Sequence, residues 1–120
     1  MELSQKIAWT LLAALHIGPA LPAVLPQTIK RLYDVDPSGT IGTLLIHRGV
    51  LFLAIAIAAL YAIFDPGVRP LSALLLTLSM VGFLIHYLRA GMPDSALRKI
   101  AVLDLIGLIP LAWVSWQAWF

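Results

Sequence analysis

The sequence predicts an all-α fold, an integral membrane four-helix bundle, on three observations. Of 120 residues, 61% are hydrophobic and 12% charged, where a soluble domain carries roughly 25% charged residues. Mean hydropathy is +0.94. The apolar residues gather into four runs, at residues 7–25, 43–64, 71–88 and 100–119, each close to the about 20 residues that a helix needs to cross a hydrocarbon core. These runs are continuously apolar, whereas the strands of a membrane barrel alternate between lipid-facing and lumen-facing residues. Little chain is left for a soluble unit, so residues 1–120 are expected to form a single transmembrane domain.

The first run follows Lys6 in the manner of a secretory signal, but Leu21-Pro22-Ala23 is a poor cleavage site and an uncleaved helix is expected. Pro19, Pro22 and Pro26 each lack an amide donor, so a kink or an early end is expected there, with freed carbonyls. Residues 26–42 make the longest connection. Thr28-Ile29-Lys30-Arg31-Leu32-Tyr33 suits a short interfacial helix, and the stretch from Asp34 to Gly39 carries turn chemistry leading into the second run. Phe64-Asp65-Pro66-Gly67 opens a tight turn into the third run. Gly91-Met92-Pro93 ends that run, and Asp94 or Ser95 can cap the fourth.

Charge sets the orientation. Six of the eight Lys and Arg residues, namely Lys30, Arg31, Arg48, Arg89, Arg98 and Lys99, fall on the side of the first and third connections, leaving Lys6 and Arg69 on the other. The positive-inside rule then puts those connections in the cytoplasm and both termini outside. Lys30, Arg31, Arg89, Arg98 and Lys99 are expected at the interface, where basic side chains hold anionic lipid. Trp9, Tyr61, Trp113, Trp116 and Trp119 would form an outer aromatic belt, and Tyr33 and Tyr87 an inner one.

Threaded this way, the chain places His16, His47, Arg48, His86 and Asp104 in the cytoplasmic half of the bilayer. At 1.5 Å per residue, His47 and His86 lie about 6 Å inside their helix ends, Asp104 about 6 to 9 Å and His16 about 12 to 14 Å. Ionisable groups at such depths usually face the bundle interior and find partners. Small residues share a side with two of them: Ala54 and Ala58 with His47, and Gly82, Ser79 and Ser72 with His86. Those sides are expected to turn inward.

The simplest role for Asp104 is that of a counter-ion to Arg48 or Arg98; proton exchange, or orientation of a histidine, is the sharper one. The simplest role for each histidine is a hydrogen bond to a carbonyl or hydroxyl. Imidazoles on facing helices also suit a metal or haem, although no His-x-x-His or Glu-x-x-His spacing occurs. An amphipathic pocket of this kind also suits quinone or a lipid headgroup. The cofactor is left open. Absence of cysteine removes disulfides and thiolate sites, Ser72, Ser79 and Ser115 lack a Gly-x-Ser-x-Gly setting, and Asp34 and Asp36 beside Pro37 read as a turn. Enzymatic activity and nucleic-acid binding are not expected.

Three segments carry a family resemblance: Arg31-Leu32-Tyr33-Asp34-Val35-Asp36, then Leu45-Ile46-His47-Arg48-Gly49-Val50-Leu51-Phe52, then Ala96-Leu97-Arg98-Lys99-Ile100-Ala101-Val102-Leu103-Asp104. With them the chain resembles small four-span bacterial inner-membrane proteins of unknown function, similar in layout to the DoxX-like group. The resemblance spans nearly the whole chain and implies a multi-pass protein of the bacterial inner membrane, but brings no reaction with it. The leading expectation is a non-enzymatic accessory or scaffold subunit, with the bilayer and other membrane subunits, or further copies of itself, as partners. The alternative is a transport or redox component handling protons, quinone, haem or metal at the histidine, arginine and aspartate cluster.

Overall fold

The computed structural model describes residues 2–25, 27–34, 36, 38–92 and 96–120, without the side chains of Leu32 and Ala96. Over these residues the chain is all-helical. Four long helices, α1 (Glu2–Ala20), α3 (Gly39–Phe64), α4 (Arg69–Arg89) and α5 (Ala96–Trp119), are joined by a short α2 (Thr28–Tyr33) and by 3₁₀ turns at Leu21–Ala23 and Pro66–Val68. All four expected runs are therefore helices. Two stretches, Gly39–Phe64 and Pro66–Arg89, are long and apolar enough to cross a membrane. In α1 the residues Gln5, Lys6 and His16 dilute a helix of only 19 residues, and α5 carries Arg98, Lys99 and Asp104.

Of the kink or early end expected near Pro19, Pro22 and Pro26, an early end is found. α1 passes through Pro19, ends at Ala20 and gives way to the 3₁₀ turn that starts with Leu21-Pro22. The short helix α2 is present, closed by Asp34 in the left-handed region, and Lys30 pairs with that carboxylate at 2.9 Å. Asp36 accepts the Ser38 amide at 3.0 Å, so both carboxylates serve the turn. α3 begins at Gly39, shortening the connection expected over residues 26–42. Pro26, Pro37 and the Asp94 or Ser95 cap lie outside the described residues.

In cross-section α3 lies against α1, α1 against α5, and α5 against α4, while α4 returns to α3 only lightly. The core is Trp9, Leu12 and Ala13 of α1, Ala59 and Ala62 of α3, Leu76 and Met80 of α4, and Leu111 and Val114 of α5. Helical spacing explains each contribution, since these residues recur every three or four positions on one face. α3 buries Gly42, Gly49 and Ala56, one heptad apart. At Gly49 it meets the 3₁₀ turn: a Cβ there would stand 2.8 Å from the Ala23 amide nitrogen.

Two expectations are corrected here. Trp9 is fully buried in the core, so it is not part of an aromatic belt, whereas Tyr61, Trp116 and Trp119 are exposed. Of the side of α3 expected to turn inward, His47 and Ala54 are exposed and Ala58 is half-buried, because α3 buries its Gly42, Gly49 and Ala56 side instead, with Gly49 against the Leu21–Ala23 turn.

One end of the molecule is clamped. Arg69, buried at the start of α4, donates from Nε to the Ala62 carbonyl at 2.7 Å and from Nη2 to the Ile63 carbonyl at 3.1 Å. It also grips the Glu2 carboxylate through both terminal nitrogens, at 3.2 and 2.8 Å. The guanidinium thus satisfies the last carbonyls of α3, which have no intrahelical donors, and ties α1 to the α3–α4 turn. Ser72 adds a bond to the Ala58 carbonyl at 3.2 Å. Beyond Ser72 the two helices diverge.

Candidate functional site

Divergence of α3 from α4 opens a lateral cleft of about 750 Å³ towards the end that carries Arg48 and His86. Leu51, Phe52, Ala54 and Ile55 form one wall, and Leu75, Leu78, Ser79 and Phe83 the other. The Arg48 guanidinium lies 4.6 Å from the Phe52 ring centre and 5.5 Å from that of Phe83. Both distances fall within the about 6 Å reach of a cation–π contact. Arg48 also donates from Nε to the Tyr33 hydroxyl at 3.2 Å, which joins α2 to α3.

His16 lies behind this group, buried in α1. Its ring stands 5.9 Å from that of Phe52 at 48°. Its Nδ1 lies 2.9 Å from the Leu12 carbonyl oxygen; a carbonyl only accepts, so the Nδ1–H donates and Nε2 is the acceptor nitrogen. A row therefore runs from the His16 imidazole through Phe52 and Arg48 to Phe83, which stacks on Tyr87 at 6.1 Å.

Asp104 is half-buried on α5 and lines a separate pocket of about 340 Å³ with Arg31, Tyr33 and Lys99. Arg48 is near enough to influence the carboxylate through space, but the two form no ion pair among the described residues. Of the two arginines expected as its counter-ion, Arg98 is instead within 3.5 Å of the Met92 carbonyl. Tyr33 therefore stands between the two cavities, lining the Asp104 pocket and holding the arginine of the cleft.

The expected cluster thus assembles in part. His16 and Arg48 both meet Phe52, while Asp104 only shares a pocket with Tyr33, the residue bonded to Arg48. His86 is exposed on the cleft wall opposite Arg48, and His47 is exposed outside both cavities. Among the described residues no group of three His, Asp or Glu side chains could hold a metal ion. Lys30, Arg31, Arg89, Arg98 and Lys99 are all exposed.

Three residues of the site escaped the reading of the sequence. Phe52 lies four residues after Arg48, a helical spacing that brings two side chains together, so its contact with the guanidinium had a local signal. Tyr33 and Phe83 reach Arg48 from other helices, and nothing in the local sequence marks them. Comparison with known proteins finds no match: no family model, no curated protein and no solved structure is similar to the chain.

Proposed function

We propose that the protein is a four-helix membrane protein that serves, without catalysis, as an accessory subunit, taking a transmembrane helix of a larger complex into the cleft between α3 and α4. One observation carries this reading: the two most apolar helices meet at their shared turn and then part. Only 22% of the most apolar stretch in each is buried, whereas the core helix of a soluble protein is mostly covered. A bilayer solvates such surfaces without penalty. Helix association in lipid depends on close packing and small residues, and Ala54 and Ser79 offer a small residue on each cleft wall. The charge distribution favours a cytoplasmic location for the Lys30 and Arg98 ends and an external one for both termini. The resemblance to small four-span inner-membrane proteins favours the bacterial inner membrane.

A second reading has one observation behind it. Arg48 and His86 lie on opposite walls of a cleft whose other lining residues, Ser79 apart, are apolar, and whose size suits a quinone or a similar amphiphile. Purification of the tagged protein from its native membrane in mild detergent, with an absorption spectrum and mass spectrometry of everything retained, separates the two. The accessory reading expects a stoichiometric membrane partner and no chromophore. A small oligomer carrying quinone or haem, lost in His86→Ala or Arg48→Gln protein that remains folded, would overturn it.

A further inference from the structure

We infer that the pocket between α1, α2 and α5 binds a phosphate-bearing group between Arg31 and Lys99. The pocket is distinct from the α3–α4 cleft, and its volume of about 340 Å³ lies at the lower end of the about 300–1,000 Å³ usual for small-molecule sites. Two cations converge on it from elements far apart in sequence, Arg31 from α2 and Lys99 from α5, both exposed and able to fold onto a ligand. Tyr33 lines the same pocket, and its hydroxyl, which accepts from Arg48 Nε, keeps its own hydrogen to donate to a ligand oxygen.

The electrostatic sum at the site is positive. Arg31 and Lys99 bring two positive charges to the pocket wall and Asp104 one negative charge, which leaves a positive balance to face an anion. A guanidinium fork, an ammonium and a hydroxyl together suit a tetrahedral oxyanion with several acceptor oxygens. The remaining wall is apolar, with Leu15 and Gly18 of α1 and Leu103 of α5, and can cover the carbon portion of an ester. Asp104 then has a hydroxyl beside the phosphate as its natural partner.

The phosphate can come from a phospholipid headgroup or from a soluble compound, and the test separates these sources. The full-length protein in detergent micelles is titrated with phosphatidylglycerol, with retained lipid counted by native mass spectrometry, and separately with inorganic phosphate. Arg31→Gln/Lys99→Gln is compared with Lys30→Gln/Arg89→Gln, which removes the same formal charge from the same expected side of the membrane. Circular dichroism confirms that both variants are folded. We expect the first pair to weaken binding roughly tenfold or more, since each basic residue near an anionic headgroup is worth nearly a decade in affinity. The control pair removes two interfacial charges outside the pocket, so its loss measures the general attraction to anionic lipid, and the first pair should lose at least about threefold more. Retention of the lipid without response to inorganic phosphate identifies the lipid as the source, and the converse identifies a soluble phosphate. Equal losses in the two variants, no loss in the first, or no binding of either probe by the unaltered protein would overturn the assignment.

Discussion

Replacing Gly49 with alanine tests the tight contact between α3 and the backbone of the Leu21–Ala23 turn. The new Cβ would lie 2.8 Å from the Ala23 amide nitrogen and 3.2 Å from Pro22 Cβ, where ordinary contact begins at 3.4 Å, so the turn must retreat by 0.6 Å or α3 must tilt. The obstacle is backbone held by a buried proline, and it cannot rotate aside. Overpacking of this kind costs about 1–3 kcal/mol. Alanine also gains about 1 kcal/mol over glycine in a helix interior. Gly82→Ala supplies that gain alone, because nothing lies within 4 Å of its added Cβ. The difference between the two variants therefore isolates the close approach, and Gly49→Ala should be the less stable by about 1–3 kcal/mol. Gly107→Ala should fall between them, since its obstacles, Met80 Cε and Leu15 Cδ1, are the ends of flexible side chains. Reversible unfolding in mixed micelles, followed by circular dichroism, measures all three. Gly49→Ala protein as stable as Gly82→Ala protein would show that the 3₁₀ turn does not pack on α3 as described.

Three other perturbations address separate parts of the structure. Trp9→Ala should cost about 3–5 kcal/mol, as large aromatic truncations in a core do, while Trp116→Ala on the exposed side of α5 should shift unfolding by less than about 1 kcal/mol; similar effects in the same unfolding assay would contradict the burial of Trp9. Arg69→Met should lose about 1.5–3 kcal/mol from the charged hydrogen bonds it makes. The bonded guanidinium holds the Glu2 carboxyl below its usual value of 4.5, so the stability contributed by this pair is present above pH 4.5 and is lost as pH falls through the lowered value. Glu2→Gln should remove that acid-side dependence from unfolding curves. With no native cysteine in the chain, Asp65→Cys and Lys30→Cys report topology: an impermeant maleimide should label the first in intact cells and the second only after permeabilisation, whereas labelling of the second alone in intact cells would reverse the charge-based orientation and labelling of both would contradict the placement of the two sites on opposite sides.

Element type was legible because long apolar runs bounded by proline and glycine leave few alternatives, and α2, with its Thr28 start and Asp34 end, follows local rules. Which side of a helix turns inward was less legible. On α3 two stripes of small residues compete, one through Ala54 and Ala58 and one through Gly42, Gly49 and Ala56, and only the partner's shape selects the glycine stripe. The Arg69 and Glu2 clamp joins residues 67 positions apart, a separation without local signature. At the candidate site, depth along the helices put Arg48 and Asp104 in the same half of the molecule, but depth says nothing about azimuth. That is why His47 lies outside the site while Tyr33, read as an interfacial aromatic, stands inside it.

Photo-crosslinking from the cleft wall most directly tests the proposed docking of a partner helix between α3 and α4. A photoreactive residue at position 78 lies in the cleft, and one at position 109 lies on the exposed side of α5 outside the cavities described. Irradiated in native membranes, the probe at Leu78 should join a single membrane-protein partner in good yield, while the probe at Ile109 should join lipid. Lipid adducts alone at both positions, or the same mixture of proteins at both, would contradict the docking of a partner helix in the cleft.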